Sequence, residues 1–309
     1  WQWNVGGNWA PLEGLRIRAD YEFEQRLPTV EQLAAPLQET VDRVFDFARQ
    51  EVVEVVRITG GNPALQNGSV RNYSINAQLS PFRNRLVTLS VDYRRSTQRG
   101  GISSLPPLPP AIEAAFPDRF ERNADGRLIA IDARPINIES ETSAELSTGA
   151  TLSWNSQGAN PVALRLSGYH RLRLEDRLVV GPGIAPVDKL QAGATPRQSA
   201  TFQLVGAMQG LGLTIRGNWS GEARAACDTG LKYAPVVLLG LETSIEPEHL
   251  WADEAGWAKD LKISLDVQNL LATYRRVITA DGTPAPGYER DLIDPIGRTV
   301  RLTPEQRLT

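Results

Sequence analysis

The chain has 309 residues and a formal net charge of −3, with 33 lysines and arginines against 36 aspartates and glutamates. The charge is nearly balanced and the sequence has no run of basic residues of the kind that binds nucleic acid, so no nucleic-acid partner is expected. The single cysteine, Cys227, excludes a disulfide within the chain and the cysteine-rich zinc motifs. With two histidines far apart in sequence and no phosphate-binding glycine motif, we expect no metal site, no cofactor and no enzyme active site.

The dominant pattern is a series of segments of roughly ten residues in which apolar and polar side chains alternate. A period of two is typical of a β-strand with one apolar and one polar face. The pattern predicts eleven strands, at 1–9, 15–23, 73–79, 87–93, a segment ending at Trp154, 164–174, 202–208, 213–219, 233–245, 261–268 and 296–302.

The links between these segments also alternate, in length. The long links are at about 25–67, 98–144, 176–195 and 272–294, although the link at 246–259 falls on the short side and is not short. Short turns at one end and long loops at the other are typical of a transmembrane antiparallel up-and-down β-barrel. A soluble β-sandwich or propeller also alternates but has no reason to sort its links in this way. We therefore expect residues 1–309 to form one partial all-β barrel domain that begins inside a strand.

The alternation also predicts which side chains face lipid and which face the lumen. A charge at the bilayer midplane costs roughly 2–4 kcal/mol for Arg or Lys, so the apolar sets should face outward. The outward set includes Ile17, Leu89, Val91, Leu166 and Ile263, with His170 at an interfacial position. The predicted lumen-facing residues are Arg16, Arg18, Asp20, Asp92, Arg165, Arg171 and Asp266.

Two of the long links are the predicted site of ligand recognition, since loops on a rigid scaffold carry binding residues. Arg119, Arg122 and Arg127 in the link at 98–144 are candidates for holding an anionic ligand through charge-assisted hydrogen bonds. The alternative is that they only keep the loop soluble. The β-prone segment 52–58 lies in the other link and is expected to extend a hairpin beyond the membrane.

Several segments, taken in order, resemble one known family. The letters GGNPAL at 60–65, LSPF at 79–82 and LSVDY at 89–93 are similar to successive strand motifs of TonB-dependent outer-membrane receptors. LDVQNLL at 265–271, GYERD at 287–291 and DPIGRTVRL at 294–302 resemble the segments that end the barrel of that family. Two features depart from the pattern: the chain ends in Arg307, Leu308 and Thr309 rather than an aromatic residue, and Pro304 interrupts the last strand.

The resemblance implies the last half of a barrel of about 22 strands, without the plug domain that fills such barrels. It further implies a receptor in the outer membrane of a Gram-negative bacterium, in contact with outer-membrane lipid. Such a receptor takes up a scarce large ligand, namely a siderophore, cobalamin or an oligosaccharide, and is coupled to the TonB complex through the missing plug. The alternatives are a plugless outer-membrane porin and, from another class, a soluble β-rich carbohydrate-binding module.

Overall fold

The structure, a computed structural model, describes residues 1–82, 86–105, 110–158, 161–181, 183–192, 195–225, 230–250, 260–294 and 296–306. Its helices are short, and none of those described is long and apolar enough to cross a membrane. They are α1 (Val30–Ala34), α2 (Pro110–Ala115), α3 (Lys189–Ala192), α4 (Pro247–Leu250) and α5 (Arg290–Ile293), with a 3₁₀ turn at Pro117–Arg119. The strands are β1 (Gln2–Leu12), β2 (Leu15–Arg26), β3 (Gln38–Asp46), β4 (Glu51–Thr59), β5 (Gly68–Leu79), β6 (Val87–Arg99), β7 (Ile102–Ser103), β8 (Phe120–Arg122), β9 (Leu128–Asp132), β10 (Ile136–Asn137), β11 (Ser140–Asn155), β12 (Val162–Val179), β13 (Val187–Asp188), β14 (Gln198–Met208), β15 (Leu211–Ser220), β16 (Ala223–Arg224), β17 (Lys232–Tyr233), β18 (Val236–Ile245), β19 (Leu261–Gln268), β20 (Val277–Ile278) and β21 (Thr299–Gln306).

One large antiparallel sheet organises the chain. Its order is β1-β2-β5-β6-β11-β12-β14-β15-β18-β19-β21, with β13 added beside the end of β12. Each long strand therefore pairs with its neighbour along the chain, as in an up-and-down barrel, and the predicted eleven strands are confirmed. The sheet is not closed, because β1 and β21 do not pair with each other among the described residues.

The alternation of link lengths is confirmed and extends further than predicted. The long links at one end of the sheet are 27–67, 100–139, 180–197, 221–235 and 269–298. The connections at the other end are short except the one at 246–260, which is as long as the link at 221–235. The link at 221–235 was not predicted, because Tyr233 was assigned to the following strand. In the structure that strand begins only at Val236, after Pro235, and Tyr233 pairs instead with Val277 in a small separate sheet.

One of the two-residue connections, Gln209 and Gly210 between β14 and β15, shows how local chemistry sets these turns. Gly210 has a φ of +71°, a left-handed conformation that glycine adopts without steric cost. The two-residue link brings Met208 directly opposite Leu211, so the register of the two strands continues up to the turn.

The register separates the side chains of the sheet into two faces. One row runs through Trp9, Ile17, Ala77, Val91, Thr148, His170 and Ala200. The neighbouring row on the other face runs through Asn8, Arg18, Asn76, Asp92, Ser147, Arg171 and Ser199. We call the first the apolar face and the second the polar face. Ile17 and Arg18 lie on opposite faces, and Leu89, Leu166 and Ile263 lie on the apolar face with Ile17, as expected.

The last strand corrects the expectation for Pro304. β21 runs without interruption from Thr299 to Gln306, and Pro304 lies opposite Ile263 on β19. Proline lacks a backbone N–H and is tolerated on edge strands. Residues 307–309 lie outside the described residues, as does Cys227.

Candidate functional site: the loop subdomain and the polar wall

Two of the long links fold together into one unit, which we call the loop subdomain. Its sheet has the order β3-β4-β9-β8, in which β4 runs parallel to β9. The hydrophobic core of this unit contains Val53, Val55, Leu105, Ile112, Leu128, Ile131, Ile136 and Val180. The predicted β-prone segment 52–58 is therefore β4 of this sheet and does not extend a hairpin of the large sheet; Val53 and Val55 are 1% and 2% exposed.

The core of the loop subdomain is joined to the large sheet through β12. Val180, directly after that strand, is a core residue, and Leu178 within it packs against the same cluster. Ile184 of the next long link also packs there. Three long links are thus held against the end of one strand, so the loop side of the sheet carries a packed structure rather than independent loops.

An ion cluster formed by Arg122, Glu113 and the fully buried Asp46 holds the two links together. The Arg122 guanidinium donates to both Asp46 carboxylate oxygens, at 2.8 and 3.0 Å, and to both Glu113 oxygens, at 2.7 and 2.9 Å. The same side chain donates to the carbonyl of Gly126 at 2.8 Å. Arg122 therefore connects Asp46, at the end of β3 in one long link, to Glu113 and Gly126 in the other long link.

The electrostatics of this cluster favour its charged form. The Asp46 side chain is 0% exposed, and its hydrogen bond with Arg122 lowers the pKa of this carboxyl from 3.8 to about 2, against the opposing effect of burial. The hydrogen bonds that the Arg122 guanidinium donates, first to Glu113 and then to Asp46, raise its pKa above the ordinary value. A buried carboxylate is stable only if it is paired in this way.

Arg119 makes a second connection inside the loop subdomain. Its guanidinium donates to the carbonyl of Arg134 at 2.9 Å and lies 3.4 Å from the Asp132 carboxylate. Asp132 also accepts two hydrogen bonds from the Arg134 side chain. Burial acts to raise the pKa of the Asp132 carboxyl, but the hydrogen bonds from Arg134 and the charges of Arg119 and Arg134 together lower it. Arg119 thus fixes the segment that leaves β9.

The three arginines predicted to bind a ligand are therefore placed differently. Arg119 and Arg122 already have acceptors within the protein, whereas Arg127 is exposed and has no side-chain partner among the described residues. They share one subdomain but do not converge on one point. Their role toward a ligand stays a prediction.

The seven residues predicted to face the lumen all lie on the polar face. The register connects Arg16, Arg18 and Asp20 on β2 to Asp92 on β6, and then to Arg171 and Arg165 on β12 and Asp266 on β19. We call this charged part of the polar face the polar wall, and its neighbouring side chains bind one another. Asn76 donates to Asp92 at 2.6 Å, Arg216 pairs with Glu242 at 3.1 Å, and Arg171 lies 3.7 Å from Glu145.

A cavity of 520 Å³ lies at the loop end of this wall. Its charged lining includes Arg94, Arg173 and Lys189 as cations and Glu141, Glu145 and Asp176 as anions. Lys189 pairs with Glu141, and Arg173 lies 3.9 Å from Asp176, while Arg94 is exposed and has no ion pair among the described residues. Arg94 was missed by the sequence prediction, although it has the same strand parity as Asp92.

A metal site is not supported within the described part of the chain, since no group of three His, Cys, Asp or Glu side chains comes close enough to hold an ion there.

The apolar face carries large exposed hydrophobic side chains throughout its length. Examples are Trp9 at 65% exposure, Ile75 at 48%, Leu166 at 42% and Leu302 at 65%. A continuous exposed surface of this kind marks an interaction with a membrane or another protein.

Comparison with known proteins identifies the fold. Residues 1–270 match a family model described as "TonB dependent receptor-like, beta-barrel". The siderophore receptor PirA from Acinetobacter baumannii superimposes with a TM-score of 0.60 at 10% identity, covering 97% of this chain and 40% of that one. A mutant ferric enterobactin receptor, PfeA from Pseudomonas aeruginosa, solved with enterobactin, gives 0.56 at 17% identity, covering 87% and 35%. The FrpB iron transporter from Neisseria meningitidis gives 0.51 at 13% identity, covering 97% and 38%.

At these identities the structural likeness shows the fold alone. The chain spans between 35% and 40% of the length of these three proteins. A comparison with curated protein sequences returned no match.

Proposed function

Because this chain belongs to the TonB-dependent receptor β-barrel family, we propose that it forms part of an outer-membrane receptor for energy-coupled uptake of a scarce, large ligand. The observation that carries the proposal is the continuous polar wall that leads to a cavity beside a packed loop subdomain. The subdomain would capture the ligand, and the polar wall would line its path. The TonB complex would act through a plug domain seated against this wall.

A ferric siderophore is the ligand class we propose first. The three structural relatives are described as a ferric enterobactin receptor, a siderophore receptor and an iron transporter. The chain adds its own support, since Arg94 in the cavity and Arg127 on the subdomain are exposed cations that could hold an anionic chelate. Cobalamin and oligosaccharides are the alternatives.

The packing of the loop subdomain determines how this proposal should be tested. Deleting 100–140 would remove five of the eight core residues of the subdomain and expose the rest, so a loss of binding would be ambiguous. Single substitutions at exposed positions are sharper. Arg94→Gln and Arg127→Gln remove one charge each without removing an intramolecular ion pair among the described residues, and Arg276→Gln at an exposed position of another long link is the matched control.

The experiment measures growth of an iron-starved strain on ferric siderophores, together with ligand affinity of the intact receptor purified from membranes. We expect a weaker affinity in the Arg94→Gln and Arg127→Gln variants and no change in Arg276→Gln. Unchanged affinity in both test variants would move the site away from these arginines. If the strain grows equally well with and without the gene for this receptor on every ferric siderophore tested, the proposed ligand class is contradicted.

A plugless porin remains the second candidate, since a polar wall also suits passive diffusion. The two differ in energy dependence. Uptake that continues after the proton gradient is collapsed would favour the porin, and uptake that stops would favour the receptor.

A further inference from the structure

Charged residues on the apolar face of the sheet are confined to one place. Along the eleven long strands of that sheet, the described residues of this face include Arg71, Arg95, Arg99, Glu175 and Arg177, with His170 as the one other ionisable group apart from tyrosines. All five charged residues lie at the long-link ends of β5, β6 and β12, which adjoin β11 or one another. The rest of the face is apolar, aromatic or neutral.

A β-bulge creates part of this patch. Between Glu145 and Ala144 the register on β12 shifts by one residue, so that Glu145 lies opposite Arg173 but Ala144 lies opposite Glu175. Uninterrupted alternation would have turned Glu175 and Arg177 to the polar face. Bulges re-aim side chains in this way and often serve a function.

The register places the four arginines close together. Arg71 and Arg177 lie in one row with Thr97 and Thr142 between them. Arg99 lies one step nearer the links, opposite Ser69 and Ser140, and Arg95 lies one step further from them. Since neighbouring strands are about 4.8 Å apart, the row spans about 14 Å.

Most of this positive charge is not neutralised within the protein. Arg95 pairs with Glu175 at 3.2 Å. Asp188 lies opposite Arg177 in the register, but the two form no ion pair. Arg71, Arg99 and Arg177 are exposed and have no ion-pair partner among the described residues.

The surroundings of the patch indicate its depth in a membrane. Rings of Trp3, Tyr21, Phe23 and Tyr73 cluster on the same face beside it, with centroid separations of 4.7 Å between the tyrosines and 5.2 Å between Trp3 and Tyr21. Aromatic belts of this kind sit at the level of lipid headgroups. On the far side from the links follows a row of Ile75, Tyr93, Leu146 and Leu172, which suits acyl chains.

We propose that this patch binds the headgroup of a phosphorylated lipid in the leaflet on the long-link side, a site that rests on the outer-membrane location in the proposed function. Arginine guanidinium groups bind phosphate oxygens in a bidentate manner, and the hydroxyls of the intervening Ser and Thr can donate to the same oxygens. The 14 Å spread suits a headgroup with two phosphates, as in a diphosphorylated glycolipid, better than a single phosphate. The apolar rows beside the patch require acyl chains, which free phosphate lacks.

The test uses the intact receptor in neutral phosphatidylcholine nanodiscs, titrated with diphosphoryl lipid A and read out by native mass spectrometry. We expect saturable binding that persists in excess inorganic phosphate and weakens by about tenfold or more in the triple variant Arg71→Gln, Arg99→Gln and Arg177→Gln. The matched control, Arg224→Gln, Arg276→Gln and Arg298→Gln, removes three exposed arginines from other links and should bind like the wild type.

Three results would overturn the inference: no saturable binding by the wild type, complete competition by inorganic phosphate, or equal weakening in both triple variants. The wild-type measurement stays decisive even if the test variant does not fold. Siderophore-dependent growth separates this inference from the proposed function. If growth is intact and lipid binding is absent, only the lipid site is wrong, whereas a receptor that does not fractionate with the outer membrane would contradict the proposed function itself.

Discussion

Arg122 should be the residue on which the fold of the loop subdomain depends most. Replacing it by alanine leaves the fully buried Asp46 carboxylate without a cationic partner and also frees Glu113. Breaking a buried ion pair by removing one partner costs about 3–5 kcal/mol. Because the Arg122 side chain is 22% exposed and Glu113 is about one-third exposed, solvent offsets part of this, and we expect about 3 kcal/mol.

The cost should appear as local opening of the subdomain, because the large sheet has its own ladder of backbone hydrogen bonds. Native-state hydrogen exchange on the intact receptor can follow a peptide covering β4, whose Val53 and Val55 are core residues. A loss of about 3 kcal/mol corresponds to roughly a hundredfold faster exchange when exchange reports the opening equilibrium. Peptides from β14 and β15 serve as the internal reference.

The matched control is Arg127→Ala, which removes an exposed arginine five residues along the chain and should leave exchange in β4 unchanged. The variant Asp46→Asn separates charge from shape, and combining it with Arg122→Ala should cost less than the sum of the two. Unchanged exchange of β4 in Arg122→Ala, with β14 and β15 also unchanged, would refute the argument that this ion cluster holds the two links together.

Three further outcomes are expected. The pKa of the Asp46 carboxyl is lowered to about 2 in the folded protein, so its contribution to the stability of the loop subdomain is fully present above the unfolded pKa of about 4 and is lost as the pH falls toward 2. After allowance for solvent screening we expect this contribution to be about 1–2 kcal/mol. It should appear as faster hydrogen exchange of β4 at low pH, and Asp46→Asn should abolish this pH dependence. Leu166→Arg places a charge on the apolar face and should destabilise the receptor in lipid vesicles by about 2–4 kcal/mol in urea unfolding, whereas Ser167→Arg on the polar face should have little effect, and equal effects would contradict the assignment of faces. Gly210→Ala should cost about 1–3 kcal/mol by the same measurement, because the φ of Gly210 is +71° and an added Cβ would lie 2.8 Å from the Cβ of His249. Gly126→Ala, at a φ of +75° with open space around it, should cost less. The reverse order would argue against a close contact between Gly210 and His249.

The amino-acid sequence determined the large sheet almost completely. Alternation at a period of two fixes which side chains share a face, and pairing between chain neighbours leaves few other topologies. For this reason Arg18, Asp92, Arg165 and Asp266 could be placed together on the polar face without any knowledge of the structure. Within the candidate site, the same alternation can place only the residues that lie on strands, such as Arg94 on β6, which shares the parity of Asp92.

The loop subdomain was decided only by the tertiary structure. The ion pair of Asp46 and Arg122 joins residues 76 apart, and β4 pairs with β9 in a parallel direction, so no local pattern indicates either contact. The bulge on β12 has the same character, since a single extra residue reverses every later side chain, and only pairing with β11 shows where it falls. Periodicity is a local property that the chain carries by itself, whereas these contacts depend on which distant segments the folded sheet brings together.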